Sequence, residues 1–217
     1  MYIAWEIFKM LEEHLLLDDK PSKFLSYEAE EAGYFDRHPF TMLKKLKDIP
    51  QSPEHHPEGN VWNHTLLVVD EAAKRKDESE DKRAFMWAAL LHDIGKAPAT
   101  RMKKGRIVAY DHDKMGAKMA VEFLEALTDD RELIGKVSKL VRWHMQILFV
   151  VKDLPFADLE NMMKQVSYKE VALLGICDRL GRGELTQERI QKEKETVELF
   201  VRKCEERLRY SGCSCME

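Results

Sequence analysis

A chain of 217 residues, 44% hydrophobic and 34% charged, can bury one sizeable core, and no apolar run in it reaches membrane-spanning length. Its net charge of -4, from 35 Lys+Arg against 39 Asp+Glu, excludes the basic face of a dedicated duplex or long-RNA binder and leaves room for a small nucleotide or a short RNA end. Four cysteines without metal-finger spacing or disulfide-framework density, and no secretory leader pattern, predict a cytoplasmic protein in which Cys213-Ser214-Cys215 is an incidental pair in a frayed tail.

Ile3, Ile7, Met10, Leu11 and His14 recur at helical spacing, which predicts an amphipathic helix over 3–17 with His14 at its boundary. Residues 22–32 read as a second helix, capped by Ser22 and ended by Gly33. A short helix of Leu43, Leu46 and Ile49 closes at Pro50, and 51–59, with His55 and His56 among prolines, is a loop. Asn60 is placed to cap a helix whose Val61, His64, Val68 and Ala72 share a face, so His64 points inward. After a solvated charge run over 74–82, Ala84 to Leu91 is apolar on every face and belongs inside the protein. It runs into His92-Asp93-Ile94-Gly95-Lys96, where Gly95 taken alone is a C-terminal stop.

Residues 99–102 and 106–110, on either side of Lys103-Lys104-Gly105, predict a short hairpin. From Asp113 a helix carries Met115, Met119, Phe123 and Leu127, with His112 just before its first turn. Over 132–145 the stripe Leu133, Val137, Leu140, Val141 ends in His144. The run Ile147 to Val151 shows no period and is expected to be core, with an interface patch as the alternative. Residues 168–180 are apolar around Val171, Leu174 and Asp178 and run out at Gly181-Arg182-Gly183. A last helix over 186–209 is expected to bury Ile190, Val197, Phe200, Val201, Cys204 and Leu208.

Singly, each inward histidine or aspartate has a plain explanation as a satisfied core residue or a cap. Jointly, His64, His92, Asp93 and Asp178 come from three apolar helices, and burying them without a shared partner costs several kcal/mol each. A common divalent cation removes that cost. Two imidazoles and two carboxylates suit Mn, Fe, Co, Ni or Zn better than Ca or Mg. Side chains about 100° apart at His92-Asp93 can grip one ion from two directions, or the aspartate can bridge two.

The order His64, His92-Asp93, Asp178 resembles the HD superfamily of metal-dependent phosphohydrolases. More narrowly, His56-Pro57-Glu58-Gly59-Asn60-Val61-Trp62-Asn63-His64-Thr65, Leu91 to Lys96, Tyr110-Asp111-His112-Asp113 and Gly116-Ala117 are similar to the HD domain of bacterial CCA-adding tRNA nucleotidyltransferases, over residues 40–183. The nucleotidyltransferase domain and its acidic pair have no counterpart here, so CCA addition is not expected. The resemblance implies an all-α HD-domain helical bundle with one short β-hairpin. Residues 1–50 would be a helical segment packed on the core, 51–185 the HD phosphohydrolase domain, and 186–217 an amphipathic helix and tail.

It also implies hydrolysis of a phosphomonoester or cyclic phosphodiester of a nucleotide or RNA end by a metal-bound hydroxide. His64, His92, Asp93 and Asp178 would hold the ion, any of Mn, Fe, Co, Ni, Zn or Mg. His112 and His144 would either take a second ion bridged by Asp93 or bind the substrate. Lys96 and Arg182, the latter between two glycines, are expected to neutralise phosphate, with Arg179 and His56 as further substrate-binding residues. The alternatives from other classes are an HD-fold diiron oxygenase of a small anionic molecule and a metal-retaining ligand-binding module. The expected partner is a small phosphorylated molecule, with no membrane and no duplex nucleic acid, and a homo-oligomer is compatible with the sequence.

Overall fold

The computed structural model describes residues 4–213, apart from the side chains of 28–30 and 211–213. Ile3, Ser214 and Cys215, and the side chain of Cys213, therefore lie outside the described residues. The described chain is all-helical but for one hairpin. In order it forms α1 (Ala4–Leu17), α2 (Pro21–Glu30), α3 (Thr41–Lys44), α4 (Val61–Ala73), α5 (Lys82–Leu91), α6 (Lys96–Ala99), β1 (Thr100–Lys103), β2 (Arg106–Ala109), α7 (His112–Glu125), α8 (Arg131–Trp143), α9 (Gln146–Val151), α10 (Leu159–Met163), α11 (Tyr168–Leu180) and α12 (Gln187–Cys213). No described helix is long and apolar enough to cross a membrane.

Helix α5 is the axis. Asp81 caps it by accepting the Ala84 N–H at 3.1 Å, and every residue from Ala84 to Leu91 is buried, as an all-round apolar helix requires. Helices α4, α8, α1 and α11 pack around it. Asn60 caps α4 by accepting the Asn63 N–H at 2.8 Å, and Val61, His64, Val68 and Ala72 are all buried. Helices α7 and α8 pair along their length and bring the start of one beside the end of the other. The hairpin pairs Thr100 with Ala109 and Lys103 with Arg106, and turns on Lys104 and Gly105, both at positive φ.

Two glycines permit backbone contact at the site. A Cβ on Gly95 would stand 2.1 Å from the His112 carbonyl oxygen and 2.5 Å from the Gly116 nitrogen. Gly95 is thus not a helix stop: its φ of -70° is right-handed, it leads into α6, and side-chain absence lets the α5–α6 corner rest on α7. A Cβ on Gly181 would meet Val68 Cγ2 at 2.6 Å, so the end of α11 lies directly on α4.

Other local expectations need correction. Lys20 precedes α2 and Pro21 starts it; Ser22 lies inside, where its hydroxyl donates to Asp70 Oδ2 at 2.7 Å and ties α2 to α4. Gly33 does adopt the left-handed conformation just past the helix. Ile147 to Val151 lies within α9, with Ile147 and Val150 buried. On α12, Phe200 and Cys204 are buried, but Leu208 is 47% exposed.

Candidate metal centre

Four histidines reach the same point from four elements, each fixed by main chain. The Nδ1–H of His64 donates to Gly181 O (2.9 Å), of His92 to Ala89 O (2.8 Å), of His112 to Ala109 O (2.7 Å) and of His144 to Val141 O (2.7 Å). A carbonyl oxygen only accepts, so Nδ1 carries the hydrogen in each ring, and Nε2 has its lone pair free wherever the ring is neutral. Three of these partners sit three residues before the histidine, at the last turn of α5, the end of β2 and the last turn of α8. The fourth exists because Gly181 touches α4.

The Nε2 atoms converge on the buried Asp93. Its Oδ2 lies 3.3 Å from His92 Nε2 and 3.7 Å from His64 Nε2, and its Oδ1 lies 3.4 Å from His112 Nε2 and 3.9 Å from His144 Nε2. Each carboxylate oxygen thus faces its own pair of imidazoles. His64, His92 and Asp93 form one group able to hold an ion, and Asp93, His112 and His144 another. Asp178 joins through His64, with Oδ1 3.0 Å from His64 Nε2. A cation fits this donor set on two observations: His92 Nε2 is buried with no hydrogen-bond partner, and the Nε2 atoms of His112 and His144 face each other at 3.3 Å.

The protonation states agree. Burial pushes His144 down to about 4, with His112 adding to the shift, and burial lowers His112 although Asp93 opposes it. Both rings are neutral at pH 7. Burial works against an ionised Asp93, but Lys96 and His92 outweigh it and hold the carboxyl well below the usual range. Asp178 behaves alike, its burial outweighed by Arg182 and His64. Burial also opposes a charge on His64, yet its hydrogen bonds to Asp178 and Glu58 lift it to about 9, so a metal ion there competes with a proton for Nε2.

The remaining expected residues divide. Lys96 Nζ forms an ion pair with Asp93 Oδ2 at 2.7 Å and donates to Gln51 Oε1 at 2.6 Å. Arg182 has its Nη2 3.6 Å from Asp178 Oδ1, and its Nε is buried without a hydrogen-bond partner. His56 stands edge-on to His64 with ring centroids 4.9 Å apart, its Nδ1 2.8 Å from Glu58 Oε1. Arg179 has its Nη1 2.6 Å from Glu193 Oε2 of α12. All four line an open cleft of about 840 Å³ whose floor is Asp93, His112, His144 and Asp178.

Sequence reasoning missed Glu58, Gln51 and the contribution of α12. Glu58 Oε1 lies 3.0 Å from His64 Nδ1 as well as near His56; burial would raise its carboxyl, but those two hydrogen bonds bring it to about 2. The only available signal was the polar Pro57-Glu58-Gly59 segment just before the capped α4. Helix α12 supplies Arg189, Lys192, Glu193 and Thr196 to the cleft.

The HD domain matches residues 61–182. The multifunctional CCA protein of Halorhodospira halophila is 38% identical over 102 residues, which cover 46% of this chain and 23% of that protein. That of Verminephrobacter eiseniae is 30% identical over 174 residues, 77% of this chain and 40% of that protein, and that of Azoarcus sp. is 29% identical over 175 residues, 70% of this chain and 40% of that protein. The matches thus span less than half the length of these relatives. With the HD match running from the start of α4 through Arg182, the chain belongs to the HD-domain family, and its HD region is homologous to that of the multifunctional CCA proteins.

Proposed function

We propose that the chain is a metal-dependent phosphohydrolase acting on a small phosphoester of a nucleotide or RNA end. The observation that carries this reading is the convergence of four neutralisable imidazole Nε2 atoms on Asp93 at the floor of an open cleft that also holds Lys96 and Arg182. A divalent ion bound by these residues supplies Lewis acidity toward a phosphoryl oxygen and brings the pKa of a water toward neutrality.

The chain's own groups do the rest. Carbonyl-anchored Nδ1 atoms keep the rings in one tautomer and one orientation, so little reorganisation is needed at the moment of reaction. Lys96 places an ammonium beside Asp93, where charge grows on a phosphoryl oxygen during in-line displacement. Arg182 offers a buried N–H that lacks an acceptor, which an anionic ester would provide, and its planar fork suits phosphate. Glu58 orients His56 at the mouth. Similarity to the multifunctional CCA proteins supports a nucleotide or RNA-end ester, and the net charge of -4 speaks for a small ligand.

The test is metal analysis of the purified protein, joined to a phosphatase and phosphodiesterase panel under several divalent ions. Release of phosphate or ring-opening of a cyclic ester, lost with chelator and restored by one of the ions, supports the assignment. Ferrous-dependent oxygen uptake without phosphate release would replace it with an oxygenase, and bound metal with no turnover of any ester would replace it with a ligand-binding module.

A further inference from the structure

Helix α12 lies beyond the HD match, which ends at Arg182, yet it builds one wall of the cleft. Its place is fixed. Phe200 and Cys204 are buried, and Lys203 Nζ donates to Val150 O at 3.0 Å and to Asp153 Oδ1 at 2.6 Å, which ties α12 to α9. At the cleft end, Glu193 is 4% exposed and takes Arg179 of α11 at 2.6 Å and Arg189 at 2.7 Å. One buried carboxylate between two guanidiniums leaves a surplus positive charge. Lys152, at the end of α9, and Lys192 line the same cleft, and among the described residues neither has an ion-pair partner.

Of the cleft-lining residues at α9 and α12, Lys152, Arg189 and Lys192 are cations and Glu193 is the one carboxylate, and Arg179 of α11 joins it from the next helix. In a chain of net negative charge, such a concentration of like charge on a rigid concave surface is unfavourable by itself and is relieved by an anion. The reacting phosphate already has its partners at the floor in Lys96 and Arg182. The volume of about 840 Å³ lies near the upper end for a small-molecule site and far exceeds a single phosphate.

We infer that the α12 wall is a second anion subsite, and that the cleft selects phosphoesters carrying a further phosphate away from the one cleaved, as a nucleoside bisphosphate or an oligonucleotide end does. The inference rests on the phosphohydrolase reading and names its substrate class. Lys152 and Lys192 hold the distal phosphate, while the Arg179–Glu193–Arg189 bridge keeps the wall in place and adds positive potential.

Equilibrium binding of adenosine 3′,5′-bisphosphate and adenosine 3′-monophosphate, measured with chelator present so that neither turns over, tests it. Wild type should bind the bisphosphate about fivefold or more tightly, as expected of two partly exposed charge contacts, with the preference shrinking as salt rises. The Lys152→Ala/Lys192→Ala variant should bring the ratio of the two affinities near one, whereas Lys118→Ala, on an exposed face of α7 away from the cleft, should leave it as in wild type. A ratio near one in wild type, undetectable binding of the bisphosphate, or the same ratio in wild type and double variant would overturn the subsite. Because binding is read without turnover, an ester panel that shows no hydrolysis defeats the phosphohydrolase reading separately.

Discussion

The Nε2 atoms of His112 and His144 stand 3.3 Å apart while both Nδ1 hydrogens are already given to the carbonyls of Ala109 and Val141. Two lone pairs in that position repel unless a cation lies between them, and Asp93 Oδ1 faces the same gap. Wild type should therefore bind close to two divalent ions per chain, which Asp93 and the two pairs of imidazoles it faces would hold. His112→Ala and His144→Ala should each bind about one. Elemental analysis after gel filtration counts them, and a single ion per chain that neither substitution changes would show that these histidines serve the substrate instead.

Asp93→Ala should remove metal and hydrolysis together. The side chain is small and contributes ligand atoms rather than core volume, so helical circular dichroism should persist. Wild-type turnover in this variant would sink the assignment of the site.

Lys96→Ala and Arg182→Ala should keep the metal and lose turnover, with kcat/KM on a phosphoester down about 10²- to 10³-fold, the range for a preorganised charge acting on developing negative charge. Loss of metal in parallel with activity would mark the two residues as structural.

Two histidines pull the stability of chelator-treated protein in opposite directions with pH. Burial, aided by His112, lowers His144 to about 4, so between pH 4 and 6.5 the unfolded chain binds a proton there that the folded chain does not, and stability rises with pH. His64, raised to about 9 by Asp178 and Glu58 against its burial, keeps a proton between pH 6.5 and 9 that the unfolded chain has released, so stability falls as pH rises through that window. Thermal melts should peak near pH 6.5, and a bound divalent ion, which takes the His64 lone pair, should flatten the alkaline side. A melting temperature still climbing between pH 7 and 9 in the chelated protein would contradict this.

Asp81→Ala removes the acceptor of the Ala84 N–H at the head of α5 and leaves Lys136 without that partner. The cost expected for a lost N-cap is about 1 kcal/mol, and for a chain of this size that lowers the melting temperature by about 2–4 °C with metal content unchanged.

The residues of the candidate centre were legible where chemistry broke a pattern. His64, His92, Asp93, His144 and Asp178 interrupt or end apolar stripes, and a polar group on a buried face needs a reason. Glu58 and Gln51 were not legible, because they sit in the proline-rich loop before α4, where no periodicity says which side chains turn inward. The pairing of Arg179 with Glu193 was not legible, because Glu193 belongs to a helix whose charged face looks solvated from sequence alone. The role of Gly95 was hidden for the same reason: its neighbour His112 is distant in sequence, and only the fold brings that carbonyl against it.

The contact of Gly95 with the start of α7 makes the stretch between them a closed excursion. The chain leaves the centre after Gly95, turns through α6 and the hairpin, and returns to the backbone it left, with the Ala109 carbonyl delivering His112. Geometry between the two halves of the centre is thus carried by a main-chain junction, bypassing the residues in between. The tip at Lys104-Gly105 is in consequence a place where the chain can be lengthened or rewritten without altering the spacing of His92, Asp93 and His112, so long as Gly95 stays a glycine.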